Sequence, residues 1–149
     1  MGYIGIGQQS GSIDQNSDFA NLPRFPLSGI YSAMDSFATK MNSLPLHVVR
    51  AIPLTESGEN TLAYSESRPA LRLQLAEQKP VVLNCFASGQ GAIPVSFEGE
   101  GIYEVRAEQA LSTGRSRYNC TQASEWPGRF YWYSFAWIRR DADGLWSHQ

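Results

Sequence analysis

The sequence predicts a mainly β protein: an antiparallel β-sandwich in its C-terminal half, preceded by a short strand-loop-helix segment. Three observations carry that prediction. From residue 70 onward apolar residues recur at every second position. Gly, Pro and Ser punctuate these runs at short intervals. The stretch with helical spacing lies before residue 45.

Taken in chain order, Tyr3, Ile4 and Ile6 among glycines read as a first strand. A polar stretch over 8–21 leads into Leu22-Pro23-Arg24-Phe25-Pro26, where two prolines exclude a helix and favour extended chain. Over 32–44, Met34, Phe37 and Met41 recur at three- and four-residue steps. This predicts a helix, with Ser32 or Asp35 as its cap and Pro45 beyond its end. Leu46-His47-Val48-Val49 is a second apolar piece running toward Pro53, and 54–69 read as a linker or long loop.

From there the period is two. Leu71, Leu73 and Leu75 alternate with Arg72 and Gln74; Ile93, Val95 and Phe97 with Pro94, Ser96 and Glu98. Tyr103, Val105 and Ala107 alternate with Glu104, Arg106 and Glu108; Ser116, Tyr118 and Cys120 with Arg115, Arg117 and Asn119. With 81–86 and 129–138 these make six strands, the density of a sandwich or barrel.

Composition narrows the function classes. With 42% hydrophobic residues, the 149-residue chain can build a core. Its net charge of -2 argues against a nucleic-acid binder, which needs a basic face. Residues 1–23 contain no Lys or Arg, and the longest aromatic-apolar run, 130–138, is under half a membrane span. The expectation is a soluble chain with neither an export segment nor a membrane span.

Cys85 and Cys120 fit no zinc pattern and have no His or further Cys beside them. The alternation turns both inward, which suits a disulfide between strands or two buried thiols. The 130–138 strand is apolar on both faces, Phe130, Trp132, Ala136 and Ile138 on one, Tyr131, Tyr133, Phe135 and Trp137 on the other. Either it is a central strand covered on both sides, or Tyr131, Tyr133 and Trp137 form a stacking platform for sugar rings.

Other chemistry is thin. Gly5-Ile6-Gly7-Gln8-Gln9-Ser10-Gly11 is neither a dinucleotide fingerprint nor a Walker loop, and a tight turn explains its glycines. The histidines are His47 and His148, too few for a multi-histidine zinc site, and His47 reads as a loop residue. Asp141, Asp143 and Gly144 read as a solvated turn. No residue is assigned a catalytic or metal-binding role.

The segments Gly2-Tyr3-Ile4-Gly5-Ile6-Gly7-Gln8-Gln9-Ser10-Gly11, Leu22-Pro23-Arg24-Phe25-Pro26, Asp35-Ser36-Phe37-Ala38-Thr39-Lys40 and Ser43-Leu44-Pro45-Leu46 resemble the C-terminal part of bacterial NodB-like polysaccharide deacetylases. Arg68-Pro69-Ala70-Leu71-Arg72-Leu73, Asn84-Cys85-Phe86-Ala87-Ser88-Gly89-Gln90-Gly91, Gly114-Arg115-Ser116-Arg117-Tyr118-Asn119-Cys120-Thr121 and Pro127-Gly128-Arg129-Phe130-Tyr131-Trp132-Tyr133-Ser134 resemble the C-terminal extension of the same proteins.

The resemblance implies metal-dependent hydrolysis of N-acetyl groups on a sugar polymer. The divalent metal, zinc by expectation, would be held by an Asp and a His-x3-His motif, with a second Asp as base. No His-x3-His occurs here and no Asp precedes Asp14, so the expected cofactor of this chain is none. Arg24 matches a Pro-Arg-aromatic segment near the end of such domains, where it would support the active site by bonding a carboxylate of the missing part.

The expected organisation is then the incomplete end of an α/β deacetylase domain over 1–53, a linker over 54–69 and an accessory β-sandwich over 70–149. The expected function is a deacetylase fragment inactive alone; the alternative is a non-enzymatic carbohydrate-binding or interaction module. Expected partners are a polysaccharide and the missing catalytic half, with no nucleic acid. The family implies the periplasm or cell envelope.

Overall fold

Alternating runs become strands here because each has one side to bury. In the computed structural model, which describes residues 3–58 and 66–141, that side faces a single core. The elements in order are a 3-10 turn, Gly29–Tyr31, then α1 (Met34–Met41), β1 (Leu44–Pro45), β2 (Val48–Leu54) and β3 (Ala70–Leu75). β4 (Leu83–Ala87), β5 (Gly91–Ile93), β6 (Val95–Gly99), β7 (Ile102–Arg106), β8 (Gly114–Ala123) and β9 (Phe130–Arg139) follow. His148 and the Asp143-Gly144 turn lie outside the described residues.

The protein is mainly β, with two sheets. One has the order β1-β9-β8-β4-β5 and is antiparallel except for the β1–β9 pair; the other, β2-β3-β7-β6, is antiparallel throughout. Leu71, Leu73, Tyr103 and Val105 from the second sheet meet Leu83, Cys85, Tyr118 and Trp137 from the first in one buried cluster. Cys85 and Cys120 are register partners on β4 and β8, and a disulfide joins them across the pair. Among the described residues no helix is long and apolar enough to cross a membrane.

Several expectations change. The strand expected over 93–97 is two strands in different sheets, broken at Pro94, which has no N–H to give to a ladder. The boundary expected after residue 53 runs through β2, which pairs with β3 along most of its length, and β1 pairs with β9. The described ends of the expected linker are the legs of the loop joining β2 to β3. Glu56 pairs with Arg68 at 2.9 Å across it, and Arg106 donates to the Thr55 and Arg68 carbonyls. Residues 44–54 thus pair with strands that lie beyond the expected linker.

The first strand also fails to form. Tyr3, Ile4 and Ile6 are mostly exposed, and Ile6 makes one isolated parallel bridge, to Leu22. The glycines serve close approach instead: a Cβ on Gly5 would lie 1.9 Å from the Ala20 carbonyl oxygen. That contact lets Gly5 N–H reach the Phe19 carbonyl at 2.9 Å, Gly7 N–H the Leu22 carbonyl at 2.8 Å and Arg24 N–H the Gln9 carbonyl at 2.9 Å.

The helix is present but shorter than expected. Ala33 stands at its N-cap with no side-chain hydrogen bond, so neither Ser32 nor Asp35 caps it. Its one buried side chain, Lys40, donates to the Pro26 carbonyl at 2.7 Å and lies 4.5 Å over the Tyr31 ring. The apolar residues that set its period, Met34, Phe37 and Met41, are 76%, 40% and 66% exposed.

Candidate functional site

β9 is the strand on which the site expectations converge, and its two faces have different fates. Tyr131, Tyr133, Phe135 and Trp137 face the core. Trp137 is 3% exposed and wedged between Tyr118, 5.3 Å away centroid to centroid, and Phe135, at 4.8 Å. Burial pushes the Tyr133 hydroxyl up to about 12. Trp137 therefore offers no ring face to a sugar, so it does not join Tyr131 and Tyr133 in the expected stacking platform, while Tyr131 is only half-buried.

The opposite face is covered in part by the N-terminal segment. Phe25 packs edge-on to Trp132 at 5.2 Å, and Ser134 is buried. Between that segment, the β1–β2 turn and β9 lies a cleft of about 240 Å³. Ser10, Asp14, Asp18, His47, Trp132 and Ser134 are among its lining residues.

A second cleft, of about 400 Å³, is lined by His47, Leu75, Glu77, Gln122 and Tyr131, so exposed His47 stands at the rim of both. Tyr131 donates its hydroxyl to Glu125 at 3.0 Å; partial burial and then that carboxylate raise its pKa.

The carboxylates of the first cleft are already committed. Asp14 accepts the Asn16 N–H at 2.9 Å and the Ser17 hydroxyl at 3.2 Å; Asp18 accepts the Ala20 N–H at 2.9 Å. These bonds tie aspartates into their own turns. Among the described residues no group of three or more His, Cys, Asp or Glu side chains is placed to hold a metal ion.

Arg24 is exposed and donates from Nε to the Gly7 carbonyl at 3.3 Å. It stands near Arg115 and Arg117, which in the sequence are only the polar half of an alternation. The available signal was their i, i+2 spacing, which puts both on one face of β8.

Comparison with protein-family models, with curated proteins and with solved structures finds no match.

Proposed function

We propose that this chain is the C-terminal portion of a polysaccharide deacetylase. In this reading residues 3–43 complete the edge of an α/β catalytic domain and residues 44–141 form an accessory β-sandwich. The enzyme would hydrolyse N-acetyl groups on a sugar polymer, with its metal centre in the remainder of that domain. The metal's contribution when bound is polarisation of the amide carbonyl. This chain supplies structural support and a surface, and is inactive by itself.

The observation that carries this reading is the apolar side of α1. An amphipathic helix ordinarily turns its apolar stripe inward. Here Met34, Phe37 and Met41 point outward, beside a groove of about 210 Å³ lined by Leu27, Tyr31, Met34 and Phe37. Exposed apolar surface of this kind marks a contact with further protein. Two of the segments that resemble the end of a deacetylase domain, 2–11 and 22–26, are also tied to each other by backbone hydrogen bonds, Gly7 N–H to the Leu22 carbonyl, Leu22 N–H to the Gly5 carbonyl and Arg24 N–H to the Gln9 carbonyl.

The test is the coding sequence upstream of Met1. An in-frame stretch encoding an Asp and a His-x3-His motif is expected, and its absence would overturn the reading. Incubation of the chain alone with zinc, cobalt or nickel and acetylated oligosaccharides should release no acetate; turnover would refute inactivity.

A second reading, a non-enzymatic carbohydrate-binding module, is favoured by the first cleft, where hydroxyl and carboxylate side chains stand beside the Trp132 ring. Acetylated and free glucosamine oligomers titrated against tryptophan fluorescence test it. A saturable change that Trp132→Ala removes supports the module; a flat signal at millimolar sugar excludes it.

A further inference from the structure

We propose that Arg24, Arg115 and Arg117 form a binding site for an oxyanion, a phosphate or a carboxylate group, at the seam between the N-terminal segment and β8. Arg115 and Arg117 project from the face of β8 opposite buried Ser116 and Tyr118, and their β9 partners, Ile138 and Ala136, are exposed. Arg24 reaches the same seam from the N-terminal segment.

Each arginine is anchored to a neutral oxygen of one short stretch. Arg24 donates to the Gly7 carbonyl at 3.3 Å, Arg115 to the Gln8 side-chain oxygen, and Arg117 to the Ser10 hydroxyl at 3.4 Å. A guanidinium has five N–H donors, so each keeps most of them. Burial, then the charges of Arg117 and Arg24, hold the Arg115 pKa below its ordinary value.

Shortage of acid does not explain the cluster. The chain has fourteen Asp and Glu against twelve Lys and Arg. Ion pairs form elsewhere, Glu56 with Arg68 and Glu104 with Arg72 and Arg106, while among the described residues none reaches Arg24, Arg115 or Arg117. Neighbouring guanidinium forks suit the planar carboxylate and the phosphate group, which accept paired charge-assisted hydrogen bonds. An oxyanion bound here would replace repulsion among the cations with attraction. The inference rests on these three arginines alone and goes beyond the deacetylase reading, so either can fail without the other.

The experiment titrates sodium phosphate and sodium glucuronate into the full chain at constant ionic strength, with sodium chloride as control, following backbone amide NMR shifts. Saturable shifts confined to residues around Gln8, Ser10, Arg115 and Arg117 are expected. Response to phosphate alone assigns a phosphate group, and response to glucuronate assigns a carboxylate; either supports the site. Arg115→Gln and Arg117→Gln should each weaken binding about tenfold or more, the worth of a charge-assisted hydrogen bond. Arg117→Lys keeps the charge but loses the fork, and should bind several-fold more weakly with an unchanged fold. Equal shifts with chloride, or affinity unaffected in any folded variant, would overturn the proposal.

Discussion

Tyr118 donates its hydroxyl to the Pro69 carbonyl at 2.7 Å, bridging β8 to the residue just before β3 in the other sheet. The same oxygen accepts the Ala107 N–H at 3.1 Å, just past the end of β7. One fully buried phenol thus satisfies two backbone groups where the chain leaves its strands, and packs its ring on Trp137. Tyr118→Phe keeps the ring and orphans both groups. At about 1–3 kcal/mol for a buried group left unpaired, urea unfolding should show a loss of about 2–4 kcal/mol. An unchanged midpoint would mean that water replaces the hydroxyl.

The same burial predicts an alkaline limit. Tyr118 and Tyr133 are each pushed up to about 12, in both cases first by burial. A tyrosine whose folded pKa lies above its unfolded value of about 10 binds its proton more tightly when folded. Its stabilisation is complete below pH 10 and is lost as pH rises toward 12. Unfolding free energy should therefore fall across that window, and fall less steeply in Tyr118→Phe. Equal slopes in the two proteins would show that Tyr118 ionises as freely folded as unfolded.

The disulfide closes a loop with a sequence separation of 35. In the chain-entropy model that is worth about 3–4 kcal/mol. Cys85→Ala with Cys120→Ala should lower stability by roughly that amount. The unreduced protein should show no thiol to alkylating reagents after denaturation. Two alkylated cysteines without reductant, in protein prepared under oxidising conditions, would contradict the bond.

What could be read from the sequence followed from which residues had a single side to bury. β3, β4, β7 and β8 were legible because one side of each is core and the other is not. β2 was missed for two reasons visible in its own residues. A register shift between Val48 and Arg50 breaks its alternation, and Pro53 argues against a strand. Its place at a sheet edge removes the second objection, since an edge strand can spare one N–H.

The two sides of β9 were sorted correctly, yet periodicity could not say which faced the core, because both are apolar. The arginine cluster needed the fold, since Arg24 and Arg115 are joined only when the N-terminal segment lies along β8. The glycines of 5–11 showed that something unusual occurs there, but Gly5 needs its missing Cβ for approach to Ala20 rather than for a turn.

Gly101 is a sharper case of a glycine requirement. It sits at φ +74°, and an added Cβ would lie 2.6 Å from the Glu77 carbonyl oxygen and 3.1 Å from that of Leu75. Its own carbonyl accepts the Leu75 N–H at 2.9 Å, holding the β6–β7 turn against the end of β3. Strain and collision act together, so Gly101→Ala should cost more than the ~1 kcal/mol of backbone preference alone. Gly99→Ala is the control: it shares the positive φ, at +97°, but its Cβ meets nothing within 4 Å. Thermal melts should rank Gly101→Ala well below Gly99→Ala; the reverse order would place the crowding elsewhere.

Trp137 and Trp132 separate packing from recognition on one strand. Trp137 is enclosed by Tyr118 and Phe135, so Trp137→Ala removes a large core side chain and should cost about 3–5 kcal/mol. Any saccharide response of the protein should survive in whatever fraction of that variant remains folded, because the ring does not line the first cleft. Trp132 is half-covered by Phe25 and does line it, so Trp132→Ala should cost less stability and remove the fluorescence response. Urea melts of the two variants, beside glucosamine-oligomer titrations of each, decide the matter. A stable Trp137→Ala that has lost saccharide binding would restore the core face of β9 as the recognition surface and refute the packing of Trp137 against Tyr118.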